Sequence, residues 1–186
     1  MAYISKNLTF ESDKIYYTEG DIEFEVMMSW EDTLMSASAA YVCQSGGDIL
    51  EVGFGMGISA GYMHSHSISS HTIVENHPDI IPRAQAWASE KSNVTIVTGS
   101  WFSVRSNLST YDGLFYDTFE DNDEVEFSSS LSSLVKQGGV ATWWNRNSSE
   151  SNQYNIPNVT YTQHSVNPPS NNYFNNTTYY LPQCQL

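Results

Sequence analysis

Apolar residues recur along most of the chain at the spacings of helices and strands. Between residues 24 and 42 they return every three or four positions until Gly46-Gly47 ends the pattern, which predicts a helix. Further helices are predicted at 58–64, 78–91 and 124–136, and strands at 48–52, 71–75, 94–97, 111–117 and 138–144. Alternation of strands with helices predicts an α/β domain with a doubly wound, mostly parallel sheet.

The two ends of the chain read differently from its centre. Residues 1–20 are polar with scattered aromatic residues, so residues 1–25 are expected to form an arm or lid. Residues 26–186 are then a single domain. Two more strands, at 159–166 and 177–181, follow the fifth strand without a helical pattern between them. They predict an antiparallel hairpin that completes a seven-stranded sheet at one edge.

Composition narrows the classes of partner. The chain has 186 residues and a net charge of −14, from 21 acidic and 7 basic residues. The negative electrostatic field of such a protein repels phosphate backbones, which argues against nucleic acid as a partner. The charge is compatible with a small basic substrate, or it only keeps the protein soluble. No run approaches the roughly 20 apolar residues of a membrane helix, and no secretion signal is visible, so we expect a cytoplasmic protein without a membrane partner.

Metal and disulfide chemistry are not indicated. Cys43 and Cys184 lie far apart and are expected to be free thiols. His64 and His66 are two positions apart on a predicted helix and do not face one another, so no metal site is predicted. The acidic run of Glu120, Asp121, Asp123 and Glu124 reads as a solvated loop and helix start.

A glycine-rich turn joins the first sheet strand to the following helix. Gly53, Gly55 and Gly57 let the backbone turn sharply and approach a ligand closely, while the helix start presents free N–H groups. Glu75 ends the next strand, where its carboxylate can accept hydrogen bonds from the hydroxyls of a ribose. A nucleoside pocket is therefore predicted. The turn fits a dinucleotide fingerprint loosely, but S-adenosylmethionine (SAM) suits it better, because SAM has no pyrophosphate and carries a cationic amino group that Glu51 can satisfy.

Two strings within this framework resemble a known family. Val52-Gly-Phe-Gly-Met56 and Tyr116-Asp-Thr-Phe119, with the segment around Trp30-Glu31, are similar to guanidinoacetate N-methyltransferase and its fungal arginine-methylating relatives over residues 26–147. The resemblance implies a Rossmann-like class I SAM-dependent methyltransferase. It assigns Glu31 and Asp117 as the catalytic residues that hold the guanidino group of a substrate.

The resemblance also implies the rest of the site. The residues it places around SAM, together with the turn and its flanks, are Met35, Glu51, Gly53, Phe54, Gly55, Met56, Gly57, Ile58, Ser59, Glu75, Asn76, Gly99, Ser100, Trp101 and Asp117. Those expected at the substrate are Met27, Glu31, Asp117, Arg146 and Asn147. Arg146-Asn147 stands where the family has Leu-Thr, and an arginine there repels a guanidinium unless it points outward or binds a substrate carboxylate.

The C-terminal part is shorter than in the family, because no helix precedes the last two strands. One face of the sheet is then less covered, which leaves room for a homo-oligomer contact or an altered substrate opening. The leading hypothesis is a SAM-dependent N-methyltransferase acting on a small guanidino or amine compound. The alternatives are methylation of arginine in a protein, a SAM-binding protein without transferase activity and, more distantly, a dehydrogenase.

Overall fold

The computed structural model describes residues 3–119 and 124–186. The strands in this part are β1 (Thr9–Phe10), β2 (Lys14–Glu19), β3 (Ile22–Met28), β4 (Asp48–Val52), β5 (Ser70–Glu75), β6 (Val94–Thr98), β7 (Tyr111–Tyr116), β8 (Val135–Trp143), β9 (Thr160–Ser165) and β10 (Thr178–Gln185). The α-helices are α1 (Asp32–Val42), α2 (Ile58–His64), α3 (Ile81–Ala88), α4 (Trp101–Val104) and α5 (Glu124–Leu134).

A seven-stranded sheet in the order β6-β5-β4-β7-β8-β10-β9 organises the chain. Its first five strands are parallel, and β10 pairs antiparallel with both β8 and β9. The predicted mostly parallel sheet with an antiparallel C-terminal hairpin is therefore confirmed. Residues 144–159 form neither helix nor strand, in agreement with the missing helix before the last two strands.

The central strands are apolar because both faces of the sheet are covered. Ile49 and Phe115 belong to the cluster under α1, whereas their neighbours Leu50 and Leu114 belong to the opposite cluster under α5. All four are at most 1% exposed. Since successive side chains of a strand point to opposite faces, an unbroken apolar run supplies both cores at once. Each such side chain contributes roughly 1.5–3 kcal/mol of burial free energy.

A separate three-stranded sheet, β1-β2-β3, precedes the domain. The prediction of a helix from residue 24 is wrong for its first eight residues, because β3 runs from Ile22 to Met28, a 3₁₀ turn follows at Ser29–Glu31, and α1 begins only at Asp32. β3 pairs antiparallel with β2, and Tyr17 stacks on Phe24 with ring centroids 5.2 Å apart. Strand pairing therefore overrides the helical spacing of these apolar residues. The segment predicted as an arm, residues 1–25, thus contributes β1, β2 and most of β3 to this sheet.

Smaller differences concern element ends and isolated features. The helix predicted at 78–91 is shorter, α4 was not predicted, and the acidic run at 120–123 lies outside the described residues. Cys43 and Cys184 are buried free thiols. In the described ranges no helix is long and apolar enough to cross a bilayer, and no group of three or more His, Cys, Asp or Glu is placed to hold a metal.

Candidate active site

A cavity of about 340 Å³ opens at the carboxyl ends of the central parallel strands. It lies where the strand order reverses between β4 and β7, the position at which open α/β sheets bind ligands. Its described lining consists of Tyr3, Ile4, Val26, Met27, Glu31, Val52, Gly53, Phe54, Gly55, Val74, Glu75, Asn76, Ile80, Gly99, Ser100, Trp101, Asp117, Thr118, Phe119, Trp144 and Tyr173.

The glycine turn after β4 forms one wall of this cavity. Gly53 has φ +94°, and a Cβ there would overlap the carbonyl oxygen of Asp117. Gly55 has φ +52°, and a Cβ there would overlap the sulfur of Met27. Both positions therefore require glycine for the packing of the protein on itself as well as for their left-handed backbone. The turn draws the end of β7 and the end of β3 against the end of β4.

Glu75, the last residue of β5, is held by the backbone around it. Its Oε2 accepts a hydrogen bond from the N–H of Phe54 at 2.9 Å, and its Oε1 accepts from Asn76 and His77, each at 2.8 Å. An ionised carboxylate has about four acceptor positions, so about one remains for a ligand. Glu75 is thus a buried, preoriented acceptor in the cavity wall, which fits a ribose hydroxyl.

Trp101 supplies a second observation at the same end of the cavity. The side chain is 3% exposed, and its indole N–H has no acceptor among the described residues. A buried donor without a partner costs about 1–3 kcal/mol. This N–H is buried from the cavity as well, so Trp101 contributes the surface of its ring, which together with the carboxylate of Glu75 suits an adenosine group. The residues present fit SAM.

Two carboxylates line the other end of the cavity. Glu31 ends a single 3₁₀ turn between β3 and α1 and is 3% exposed, whereas the half-buried Asp117 directly follows β7 and donates its N–H to the carbonyl of Val52 at 2.9 Å. Burial, and then the charge of Asp117, raise the pKa of Glu31 to about 8. Burial, and then the charge of Glu51, raise the pKa of Asp117 to about 7. This end of the cavity therefore favours a cation.

Glu51 lies behind the cavity wall and not in it. The carboxylate is fully buried, its Oε1 accepts a hydrogen bond from the hydroxyl of Ser59, and its Oε2 lies 2.9 Å from Nε2 of His71. Both Glu51 and His71 are 0% exposed. The pair links β4, β5 and the first turn of α2 beneath the glycine turn.

Sequence reasoning missed Tyr173, in the loop between β9 and β10. Its hydroxyl donates to Oε1 of Glu31 at 2.6 Å and accepts from Nε1 of Trp30 at 3.1 Å. Trp144, also missed, lines the cavity beside it, with ring centroids 6.1 Å apart. Trp144 ends the strand predicted at 138–144, but no motif marked it as a site residue. Tyr173 belongs to no periodic pattern or motif, and only its aromatic character within a polar segment could have drawn attention to it.

The structure brings most of the predicted residues to the cavity. The predicted residues in its lining are Met27, Glu31, Gly53, Phe54, Gly55, Glu75, Asn76, Gly99, Ser100, Trp101 and Asp117. The predicted residues outside its described lining are Met35, Glu51, Met56, Gly57, Ile58, Ser59, Arg146 and Asn147. Met35 is a buried core residue of α1, and Arg146 is exposed.

Sequence comparison matches residues 9–156 to the family described as guanidinoacetate N-methyltransferase. Protein arginine N-methyltransferase 2 of Yarrowia lipolytica is 34% identical over 161 residues, covering 78% of this chain and 33% of that protein. The same-named protein of Aspergillus oryzae is 33% identical over 153 residues, covering 77% of this chain and 36% of that protein. The chain thus spans about a third of the length of these curated relatives.

Solved structures with the same fold include a methyltransferase and a spermidine synthase, both distant in sequence. The N-methyltransferase NodS from Bradyrhizobium japonicum WM9 superposes with a TM-score of 0.65 at 14% identity, covering 83% of this chain and 94% of that one. Spermidine synthase from Thermotoga maritima gives a TM-score of 0.61 at 11% identity, covering 95% of this chain and 71% of that one. The family match extends over more than half of the chain. The chain therefore belongs to the guanidinoacetate N-methyltransferase family of SAM-dependent methyltransferases, which confirms the resemblance carried by its motifs and the expectation of SAM as cofactor.

Proposed function

We propose that this chain transfers a methyl group from SAM to a nitrogen of a guanidino group. The observation that carries the proposal is the pair of acidic side chains, Glu31 and Asp117, in one cavity whose described lining includes no Lys, Arg or His. A guanidinium is planar and carries several N–H donors, so two carboxylates can bind it through charge-assisted hydrogen bonds. Its positive charge also offsets the repulsion between the buried Glu31 anion and the half-buried Asp117 anion.

Separate parts of the cavity hold the two reactants in this proposal. Glu75, Asn76 and Trp101 bind the adenosine part of SAM, and the glycine turn lies along the rest of the SAM molecule. When bound, SAM supplies an electrophilic methyl carbon on a sulfonium, whose sulfur keeps the bonding electron pair as the new N–C bond forms. Glu31 and Asp117 contribute by fixing the acceptor nitrogen at attack distance, about 3 Å, and in line.

The same carboxylates take up the proton that the nitrogen loses. With the pKa of Asp117 at about 7 and that of Glu31 at about 8, both groups exchange protons near neutral pH. An ordinary surface carboxylate, with a pKa near 4, is a much weaker base. The buried surroundings that favour cation binding therefore also prepare the site for proton removal.

Two acceptors remain for the methyl group, a small guanidino or amine compound and the arginine side chain of a protein. The names of the curated relatives favour arginine in a protein, although those proteins are about three times longer than the matched region. The lining of the cavity also favours arginine in a protein. The described lining residues include no cationic side chain, so nothing among them would pair with an acceptor's carboxylate close to its guanidino group. We therefore favour an arginine side chain or an alkylguanidine over guanidinoacetate.

The test uses methyl-labelled SAM with four acceptors: butylguanidine, an arginine-containing peptide, guanidinoacetate and butylamine. Mass spectrometry should find the label on guanidino nitrogen of the first two, and transfer should fall at least 100-fold in Asp117→Asn. Transfer to guanidinoacetate alone would select the small-molecule alternative. Binding of SAM without transfer to any acceptor would replace the proposal with that of a SAM-binding protein lacking transferase activity.

A further inference from the structure

The hydroxyl of Tyr173 has a defined hydrogen-bond direction. An indole N–H is only a donor, so the 3.1 Å contact between Nε1 of Trp30 and the Tyr173 oxygen makes that oxygen the acceptor. The hydroxyl hydrogen is then free for Glu31, whose Oε1 lies 2.6 Å away. Tyr173 therefore donates to Glu31, and the donation from Trp30 to the same oxygen favours this direction over the reverse.

Glu31 is approached unequally at its two oxygens. Oε1 accepts from the hydroxyl of Tyr173 and from the backbone N–H of Met28 at 2.9 Å, and Oε2 accepts neither bond. A proton on Oε1 would point at two donor hydrogens, whereas a proton on Oε2 meets no such conflict. The two donors therefore make Oε2 the oxygen that titrates.

We infer that Tyr173 is a positioning residue that confines the titrating proton of Glu31 to Oε2, and so makes Oε2 the atom that receives the proton from the substrate nitrogen. This inference rests on the proposed function. In the step, an N–H bond of the guanidino group breaks, its electron pair stays on nitrogen, and the proton forms an O–H bond with Oε2. In the methyl transfer, one bond forms, between the methyl carbon and this nitrogen, and one bond breaks, between the methyl carbon and the sulfur of SAM.

The loop that carries Tyr173 is fixed to the opposite end of the chain. The backbone N–H and the side-chain amide of Asn172 both donate to Oε2 of Glu25 on β3, at 3.0 and 2.8 Å. The ring of Tyr173 also stacks on Trp30, with centroids 6.1 Å apart. The hydroxyl is thus held at Glu31 by contacts that do not depend on a ligand.

Three ionisable groups act on Glu31 in the described structure. Asp117 at the end of β7 opposes its ionisation, whereas the hydrogen bond from Tyr173 favours it. Tyr179 of β10 is the third, and the charge of Glu31 raises the pKa of this buried phenol. Loss of the Tyr173 hydroxyl therefore removes one of the two hydrogen bonds that stabilise the Glu31 anion, the other coming from Met28, and the pKa of Glu31 should rise further.

The experiment compares the wild type with Tyr173→Phe. A ¹³C NMR titration of the glutamate carboxyls, with the Glu31 signal identified by its loss in Glu31→Gln, should show the Glu31 midpoint about one pH unit higher in Tyr173→Phe. Tyr16→Phe is the matched control, because it removes a tyrosine–glutamate hydrogen bond of 3.2 Å on the exposed surface. An unshifted Glu31 midpoint in folded Tyr173→Phe would overturn the inference.

A second measurement separates this inference from the proposed function. Calorimetry of each protein saturated with S-adenosylhomocysteine (SAH), the demethylated product of SAM, follows methylguanidine binding as a function of pH. Tyr173→Phe should bind about 3- to 10-fold more weakly at pH 7 and should approach the wild type at pH 9. If the Glu31 midpoint moves but the wild type binds no methylguanidine at any pH, the proposed function fails and the positioning role stands. Identical pH profiles for both proteins would contradict the positioning role.

Discussion

The hydroxyl of Tyr173 lies 2.6 Å from Oε1 of Glu31, although 142 residues separate the two in the chain. Glu31 belongs to the turn that leads into the sheet domain, and Tyr173 to the loop of the last hairpin. Their contact joins the beginning and the end of the described structure over the carboxyl edge of the sheet. The end of the cavity that is lined by Glu31 therefore forms only when the C-terminal hairpin has docked on β8.

The raised pKa of Glu31 predicts a pH-dependent stability. The folded state holds this proton up to about pH 8, whereas the unfolded chain releases it near the ordinary value of 4.5. The free energy of unfolding should therefore fall as pH rises between 4.5 and 8, by up to about 1.4 kcal/mol per unit, and Asp117 acts with the same sign. Urea denaturation between pH 5 and pH 9 measures this dependence.

Glu31→Gln isolates the Glu31 contribution to that dependence. The amide oxygen of the glutamine can still accept the hydrogen bonds from Met28 and Tyr173, but the side chain at position 31 no longer ionises. We expect the variant to match the wild type near pH 5 and to be more stable by up to about 4 kcal/mol at pH 8.5, since about 1.4 kcal/mol per pH unit accumulates between pH 5 and pH 8. A stability difference that does not change with pH would contradict the assigned pKa.

Alanine substitution should change the stability of the protein in opposite directions at Gly53 in the turn and at Gly61 in the helix that follows it. Gly53→Ala places a methyl group on the carbonyl oxygen of Asp117 at φ +94° and should destabilise the protein by about 2–4 kcal/mol. Gly61→Ala, within helix α2 and with no heavy atom within 4 Å of its Cβ position, should stabilise by about 0.5–1 kcal/mol. Thermal unfolding of the two variants checks the pair, and equal effects would show that the backbone assignment of the turn is wrong.

Glu75 is predicted to control cofactor affinity. Glu75→Ala removes the carboxylate that we propose as the ribose acceptor, and it also frees the N–H groups of Phe54, Asn76 and His77, so SAH binding should weaken by about 100-fold or more. Glu90→Ala, at an exposed position beyond α3, is the charge-matched control and should bind SAH like the wild type. Calorimetry measures both, and equal affinities would remove Glu75 from the cofactor site.

Trp144 is predicted to contribute to recognition of the guanidinium. The residue lines the cavity together with Tyr173 and Glu31, where an aromatic wall can attract a cation by about 0.5–2 kcal/mol. Trp144→Leu should therefore bind methylguanidine about 3- to 30-fold more weakly and SAH unchanged, whereas Trp144→Phe should retain most of the affinity. If SAH binding falls as well, the substitution has disturbed the cavity as a whole and Trp144 has no specific role.

Local patterns were sufficient to predict the sheet and the cofactor half of the site. A strand, a glycine turn and a helix follow one another within 17 residues from Asp48 to His64, and Glu75 closes the next strand. These features depend on residues close together in sequence, and the parallel topology then brings the strand ends to one edge. The glycine turn and Glu75 therefore line the same cavity because of the parallel order of the strands.

Long-range contacts account for what sequence patterns did not reveal. Ile15 and Tyr17 alternate with polar neighbours and are 1% and 4% exposed, yet the sheet they belong to depends on pairing with β3, whose apolar spacing also fits a helix. Tyr173 lies in an Asn- and Pro-rich loop without periodicity, and its role follows only from the docking of that loop on Glu25. The pairing of Glu31 with Asp117 came from family resemblance alone, because no spacing rule relates them.

The most direct test of the paired carboxylates is a titration of the SAH-saturated protein with methylguanidine at pH 8. The wild type should bind it and release protons on binding, which is seen as a dependence of the measured heat on the ionisation enthalpy of the buffer. Asp117→Asn and Glu31→Gln should each lose at least 10-fold in affinity for methylguanidine while still binding SAH. Methylguanidine affinity that is unchanged in both variants would contradict the assignment of Glu31 and Asp117 as the groups that hold the substrate.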